Sequence, residues 1–129
     1  KIISIYGIGN NIVKIKRIKS SQKKKNFIKR IFNEQEVLKC KKITNYHNCY
    51  AKRFAAKEAF SKALGTGISS GINFNEIIIL NKKSGKPYIY LKGKTKKKIK
   101  RIFKQKKTKI SLSLSDERDY AVAFVTISV

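Results

Sequence analysis

A chain of 129 residues, 41% of them hydrophobic, has the length of one domain with a real core, and it contains no apolar run long enough to cross a bilayer. Thirty-two Lys and Arg against seven Asp and Glu give a formal charge of +25, which favours polyanionic partners: nucleic acid, an anionic membrane surface or an acidic protein. Richness in Lys, Ile and Asn is also what A/T-rich codons produce, so only positive charge at particular places argues function. The N-terminal apolar stretch is too short and too strand-like for a signal peptide, and a cytoplasmic protein is expected. Cys40 and Cys49 form neither a zinc cluster nor a disulfide framework, and reduced thiols are the expectation.

Residues 2–8, β-branched and aromatic, predict a strand that ends at a Gly9-Asn10-Asn11 turn. Residues 13–18 alternate apolar and basic, and a helix is preferred there because Phe27, Ile28 and Ile31 follow at helical spacing. Asn33 with Glu36 three positions on reads as a capped helix start, giving a third short helix to about Lys42. Residues 51–67 are the strongest helix in the chain, with Ala55, Ala59 and Ala63 on one ridge, Phe60 and Leu64 beside them, and a stop at Gly65-Thr66-Gly67. A Gly/Ser loop over 68–72 leads to a strand over 75–81, a turn over 82–87 and a strand over 88–92, together a hairpin. Residues 95–106 form an amphipathic, very basic helix around Ile99, Ile102 and Phe103. Ile110, Leu112 and Leu114 alternate with Ser111, Ser113 and Ser115 in a half-buried strand, and residues 120–129 make a last, nearly continuous apolar one. The order implies a single domain over 1–129 of class α+β, a small antiparallel sheet packed around a long central helix.

Several chemistries are excluded. Gly7-Ile8-Gly9 lacks the third glycine of a dinucleotide loop, and no Walker-type Gly-Lys-Ser/Thr is present. His47 is the only histidine, so a zinc site built on several histidines is ruled out; at the entry to the central helix, it reads as an ordinary polar group. Glu34 and Glu36 belong to a helix start and Glu76 to a strand entry, which leaves Glu58 and the trio Asp116, Glu117 and Asp119. Glu58 has two readings, an i,i+4 salt bridge to Lys62 or a carboxylate that holds a divalent metal while nearby cations hold phosphates. The trio has two as well, a solvated turn or a polar face aimed at a ligand.

Four segments, GIGNNIV at 7–13, RFAAKEAFSKALGTG at 53–67, GKPY at 85–88 and SLSDERDYAVAFV at 113–125, together resemble the holo-acyl carrier protein synthases, the small bacterial phosphopantetheinyl transferases. The resemblance covers essentially the whole chain in order. It implies transfer of 4′-phosphopantetheine from coenzyme A to a serine of apo-acyl carrier protein, with Mg²⁺, in support of fatty acid biosynthesis. It also implies a homotrimer with active sites between subunits. Residue by residue, it assigns Glu58 and Asn11 to the metal and Glu58 and Lys62 to catalysis, and Asp116, in place of a family histidine, is a further catalytic candidate. Arg53, Ser61, Lys62, Gly65, Thr66, Gly85, Lys86, Pro87, Ser113 and Ser115 fall to coenzyme A. A basic segment that receives the acidic helix of the carrier matches Lys14, Arg17, Lys23, Lys24 and Lys25. The chemistry of these residues suits the reaction, since Mg²⁺ takes carboxylates plus phosphate oxygens and Arg53 is a planar fork that fits a phosphate.

Two positions depart from the family pattern. Asn11 stands where the family has the second metal-binding Asp, offering a carbonyl oxygen without the charge. Ser115-Asp116 stands where the family has Ser-His. The expectation is that Asp116 compensates for Asn11, near the metal or as acceptor of the serine proton. The alternatives are a catalytically weakened homologue that binds coenzyme A, and a basic protein that binds nucleic acid through residues 96–107 and 23–25. The second lacks a stacking or base-reading surface, so non-specific, salt-sensitive binding is all that the charge implies.

Overall fold

The computed structural model describes residues 3–65, 71–104 and 106–129. In chain order the elements are β1 (Ile5–Lys14), α1 (Ile15–Ser21), α2 (Phe27–Ile31), α3 (Glu34–Lys41), α4 (Tyr46–Leu64), a 3-10 turn at Phe74–Glu76, β2 (Ile77–Asn81), β3 (Pro87–Leu91), α5 (Gly93–Phe103), β4 (Lys109–Asp116) and β5 (Tyr120–Ser128). Two antiparallel sheets form, one of three strands in the order β1-β5-β4 and a hairpin of β2 and β3. The expected α+β arrangement of small antiparallel sheets around a long helix is what the chain adopts. No helix among the described residues is long and apolar enough to cross a membrane.

α4 is central because one of its faces is almost all small. Ala51, Ala55, Ala59 and Ala63 are buried, and β1 crosses them so closely that a Cβ on Gly9 would sit 1.9 Å from the Ala59 carbonyl oxygen. A Cβ on Gly7 would sit 1.8 Å from that of Ala63. The predicted turn at Gly9-Asn10-Asn11 is therefore a correction: β1 runs through these residues to Lys14, paired with β5 from Gly7↔Ile127 to Lys14↔Tyr120. Glycine here serves the approach of a strand to a helix, and the ladder to β5 outweighs the local turn signal. Val13 and Lys14 accordingly leave the predicted helix for the strand, and α1 closes at Ser21, with Asn26 at φ 65° separating it from α2.

α4 ends as the sequence predicts, with Gly65 at φ 78° donating its N–H to the Ser61 and Lys62 carbonyls. Its start lies at Tyr46, earlier than predicted. The capping box at Asn33 forms, with Asn33 N–H donating to Glu36 Oε1 at 3.0 Å. Glu36 does more than cap. Its Oε1 also accepts from Lys57 Nζ at 2.8 Å and its Oε2 from Ile79 N–H at 3.1 Å, while Lys57 Nζ further donates to the Phe74 and Ile77 carbonyls. This buried pair ties α3, α4 and β2 together, and burial lowers the Lys57 pKa to about 8 despite the carboxylate beside it. Cys40 and Cys49 are joined in a disulfide, which corrects the expectation of reduced thiols. The short turn between α3 and α4 brings their Cα atoms to 5.5 Å, inside the bridging range.

Candidate active site

The close crossing of β1 on α4 sets the site. The strand runs antiparallel to the helix, so after Gly9 has passed Ala59 the chain delivers Asn11 toward the turn that carries Glu58. Lys62, one turn beyond Glu58, reaches back along the helix, as helical side chains do, to donate to the Asn10 carbonyl at 3.0 Å and to Asn11 Oδ1 at 3.1 Å. Lys62 thus joins α4 to Asn10 and Asn11 across the seam, and Glu58 stands one turn before Lys62 on the same helix. Among the described residues Glu58 takes part in no ion pair, and the i,i+4 bridge to Lys62 does not form, because Lys62 is turned to β1. Glu58 is half-buried and lines an open cleft of about 790 Å³ with Arg30, Phe54, Asn73, Asn75 and Lys94. Arg30 and Lys94 are exposed cations that sequence reading did not single out, on α2 and at the start of α5. Only tertiary structure brings them beside Glu58.

Asp116 lies elsewhere. Register pairs it with Ala121 at the end of β4, and it meets the N-terminal half of α4, accepting from Asn48 Nδ2 at 2.8 Å and facing Lys52 Nζ at 3.5 Å. Within this subunit it is not brought to Asn11, because both sheet register and helix length separate them. Ser113 and Ser115 point the other way. They pair with Phe124 and Val122 on the outer face of the sheet, away from α4.

Arg53 is 4% exposed and its fork is turned inward. Nη1 donates to the Cys49 carbonyl at 3.3 Å and contacts Cys49 Sγ at 3.2 Å, and Nη2 donates to Asn81 Oδ1 at 3.0 Å. Burial pulls the Arg53 guanidinium pKa down, and the Glu36 carboxylate works in the opposite direction. Ser61 is buried, with its hydroxyl unpartnered among the described residues. Gly85, Lys86 and Pro87 lie at the hairpin between β2 and β3, where Gly85 adopts φ 92°. Gly65 is the α4 cap, and Thr66 lies outside the described residues. Lys14, Arg17, Lys23, Lys24 and Lys25 are all exposed, on the end of β1, on α1 and in the turn after it. His47 is held by Gln22, its Nδ1 lying 3.0 Å from Gln22 Nε2; burial and the nearby Lys19 lower its pKa.

A family model described as the 4′-phosphopantetheinyl transferase superfamily matches residues 7–125. The chain belongs to this family. A holo-[acyl-carrier-protein] synthase of Pelagibacter ubique is 50% identical over 125 residues, spanning 97% of this chain and 98% of the relative. One of Ehrlichia chaffeensis is 44% identical over 95% of this chain and 96% of its own length. Among solved structures, the synthase of Neisseria meningitidis superposes with a TM-score of 0.83 at 40% identity, covering 96% of this chain and 98% of that one. The Bacillus anthracis synthase in complex with CoA (3′,5′-ADP) gives a TM-score of 0.79 at 32% identity, covering 96% of each chain. The phosphopantetheinyl transferases therefore account for both the fold and the spacing of the motifs.

The oxygens that the resemblance assigns to a metal are the Glu58 carboxylate and Asn11 Oδ1, the latter accepting from Lys62. Among the described residues no group of three or more His, Cys, Asp or Glu could hold a metal. That set still fits Mg²⁺, which is commonly held by one or two carboxylates, with substrate phosphates and water completing the octahedron.

Proposed function

We propose that this chain transfers 4′-phosphopantetheine from coenzyme A to a serine of apo-acyl carrier protein, within fatty acid biosynthesis. The observation that carries the reading is that Lys62 bridges the β1–α4 seam to Asn10 and Asn11, with Glu58 one turn before it on α4 in a cleft flanked by Arg30 and Lys94. The serine oxygen forms a bond to the β-phosphorus of coenzyme A, the bond to adenosine 3′,5′-bisphosphate breaks, and the serine proton passes to water. Mg²⁺ would supply charge neutralisation at the pyrophosphate. Glu58 and the Asn11 oxygen would hold that ion. Two of the three donors of Lys62 are spent on Asn10 and Asn11, which fixes the ammonium in place and leaves one for a phosphate oxygen. Arg30 and Lys94 add positive potential where the pyrophosphate is drawn in.

The exposed lysines of β1, α1 and the following turn are the docking surface we assign to the acidic carrier. A homotrimer is the assembly we propose. Ile8 and Ile12 are 57% and 62% exposed on the outer face of the β1-β5-β4 sheet, with Tyr120, Val122 and Phe124 beside them. A second copy is the natural cover for so apolar a face. Ser113 and Ser115 lie on that face, so they would join a site made with a neighbouring subunit. A second reading, a homologue that binds coenzyme A and transfers weakly, is favoured by Asn11, whose amide stands where a second carboxylate would strengthen the metal site. Incubation with coenzyme A, Mg²⁺ and apo-acyl carrier protein, followed by mass measurement of the carrier, separates the two. A phosphopantetheine-sized gain at catalytic enzyme concentrations supports transfer. Coenzyme A binding without that gain supports the second reading.

A further inference from the structure

The loop after β2 is built around one amide. Asn81, the last residue of β2, pairs in register with Pro87, the first of β3, so the residues between them form the hairpin loop. Inside the loop, Lys82 N–H donates to the Lys86 carbonyl at 2.9 Å and Gly85 N–H to the Lys82 carbonyl at 2.8 Å. The Asn81 side chain spans the loop, its Nδ2 donating to the Gly85 carbonyl at 3.0 Å, and its Oδ1 accepts from buried Arg53 Nη2 at 3.0 Å.

These partners leave the side chain no freedom. A guanidinium can only donate and a backbone carbonyl can only accept. The residue between them must therefore present an oxygen to one and an N–H to the other, which a carboxamide does and a carboxylate does not. Arg53 fixes which way the amide faces, since a flipped Asn81 would set N–H against N–H on one side and oxygen against oxygen on the other. Arg53 is itself fixed from behind by the Cys49 carbonyl. The chain of contacts runs from the core of α4 through Arg53 and Asn81 to the carbonyl of Gly85, whose φ of 92° sets the course of the loop.

We infer that Asn81 is a positioning residue that holds the 82–87 loop in shape for coenzyme A, and that Arg53 acts through it rather than by gripping a phosphate. This rests on the proposed coenzyme A-dependent transfer and on the assignment of Gly85, Lys86 and Pro87 to coenzyme A, but the geometry is independent of both. Asn81→Asp is the discriminating change. It keeps, and by charge strengthens, the partner of Arg53, while placing an acceptor against the Gly85 carbonyl. The substitution should thus leave the fold intact and loosen only the loop.

The test has two arms on the full chain. In the first, hydrogen exchange of the Lys82 and Gly85 amides is compared without ligand. Asn81→Asp and Asn81→Ala should speed it about tenfold, the loss of one hydrogen bond to a backbone carbonyl, while amides in α4 stay unchanged. In the second, the KM for coenzyme A should rise about tenfold, with kcat and the KM for the carrier within about twofold of wild type. Unchanged exchange in both variants, or a fall in kcat with an unchanged KM for coenzyme A, overturns the inference. If wild type transfers nothing, the proposed function falls. The exchange arm, with coenzyme A affinity measured by calorimetry in place of KM, then still decides the role of Asn81.

Discussion

Gly9→Ala tests the seam on which the site depends. The new Cβ would meet the Ala59 carbonyl oxygen at 1.9 Å and the Ala63 nitrogen at 2.7 Å, both backbone atoms that no rotamer change can move aside. β1 must lift from α4 by about 1 Å or more, and a gap of that size forfeits between a quarter and a half of the dispersion well along the contact. Overpacking of this kind costs roughly 1–3 kcal/mol, and the top of that range applies because the strand is also tied to β5. About 3 kcal/mol lowers Tm by about 10 °C for a chain of this length. Urea denaturation gives the energy and thermal melting the midpoint. Transfer activity should fall further than stability accounts for, since Asn11 and the contacts of Lys62 move with the strand. Gly85→Ala is the control for the clash in stability alone, because nothing lies within 4 Å of its added Cβ and only the positive φ is strained. A Gly9→Ala protein within about 0.5 kcal/mol of wild type would refute the reasoning.

Lys57→Met should destabilise the fold by leaving the Glu36 carboxylate and the Phe74 and Ile77 carbonyls buried without their donor, a loss that neutralising Lys57 does not cause, and adding Glu36→Gln should recover part of it; denaturant midpoints of the three proteins decide. The Lys57 pKa is depressed to about 8 in the native state against 10.5 unfolded. Between these values the unfolded chain binds more protons, so the contribution of Lys57 to stability rises as pH climbs from about 8 and is complete above about 10.5. Stability against pH should therefore climb more steeply in wild type than in Lys57→Met over that window, and parallel slopes would contradict it. Asn11→Asp should lower the Mg²⁺ concentration needed for half-maximal transfer, whereas Asp116→Ala should leave it unchanged, because Asp116 faces Asn48 and Lys52; a metal requirement that shifts in Asp116→Ala would overturn that placement. Carrier loading should slow as ionic strength rises, and charge reversal at Lys23, Lys24 and Lys25 should flatten that salt dependence in a stopped-flow association experiment.

Much of this was legible in the sequence, and where it was not the reason is physical. The helices announced themselves through periodicity, the Asn33–Glu36 capping box and Gly65, all of which act locally. The serine-leucine alternation of β4 was equally plain. Gly7 and Gly9 misled, because a glycine required for close approach between two elements looks the same as one required for a turn. Lys57 was overlooked although Arg53, Lys57, Phe60 and Leu64 recur at one helical spacing, a pattern that places two cations on the buried stripe. Nothing local says that Glu36, many residues earlier, waits there to pair with it. Glu76 was assigned to a strand entry, yet it accepts the Lys94 and Thr95 N–H groups at the start of α5. Burial alone would raise its pKa, but hydrogen bonds from Thr95, Asn73 and Lys94 outweigh this and lower it. The site itself is legible only through family motifs: the Lys62 contacts to Asn10 and Asn11 link two of those motifs, whereas the place of Asp116 depends on strand register that no motif carries.

The central claim is that Glu58, set by the β1–α4 seam, serves the phosphoryl transfer itself. Single-turnover loading of apo-acyl carrier protein by Glu58→Gln, followed by mass measurement beside a calorimetric titration with coenzyme A, tests it most directly. The account predicts a transfer rate lower by at least a hundredfold, about 3 kcal/mol in the barrier, with coenzyme A still bound and the fold intact. A variant that loads the carrier at the wild-type rate would contradict it.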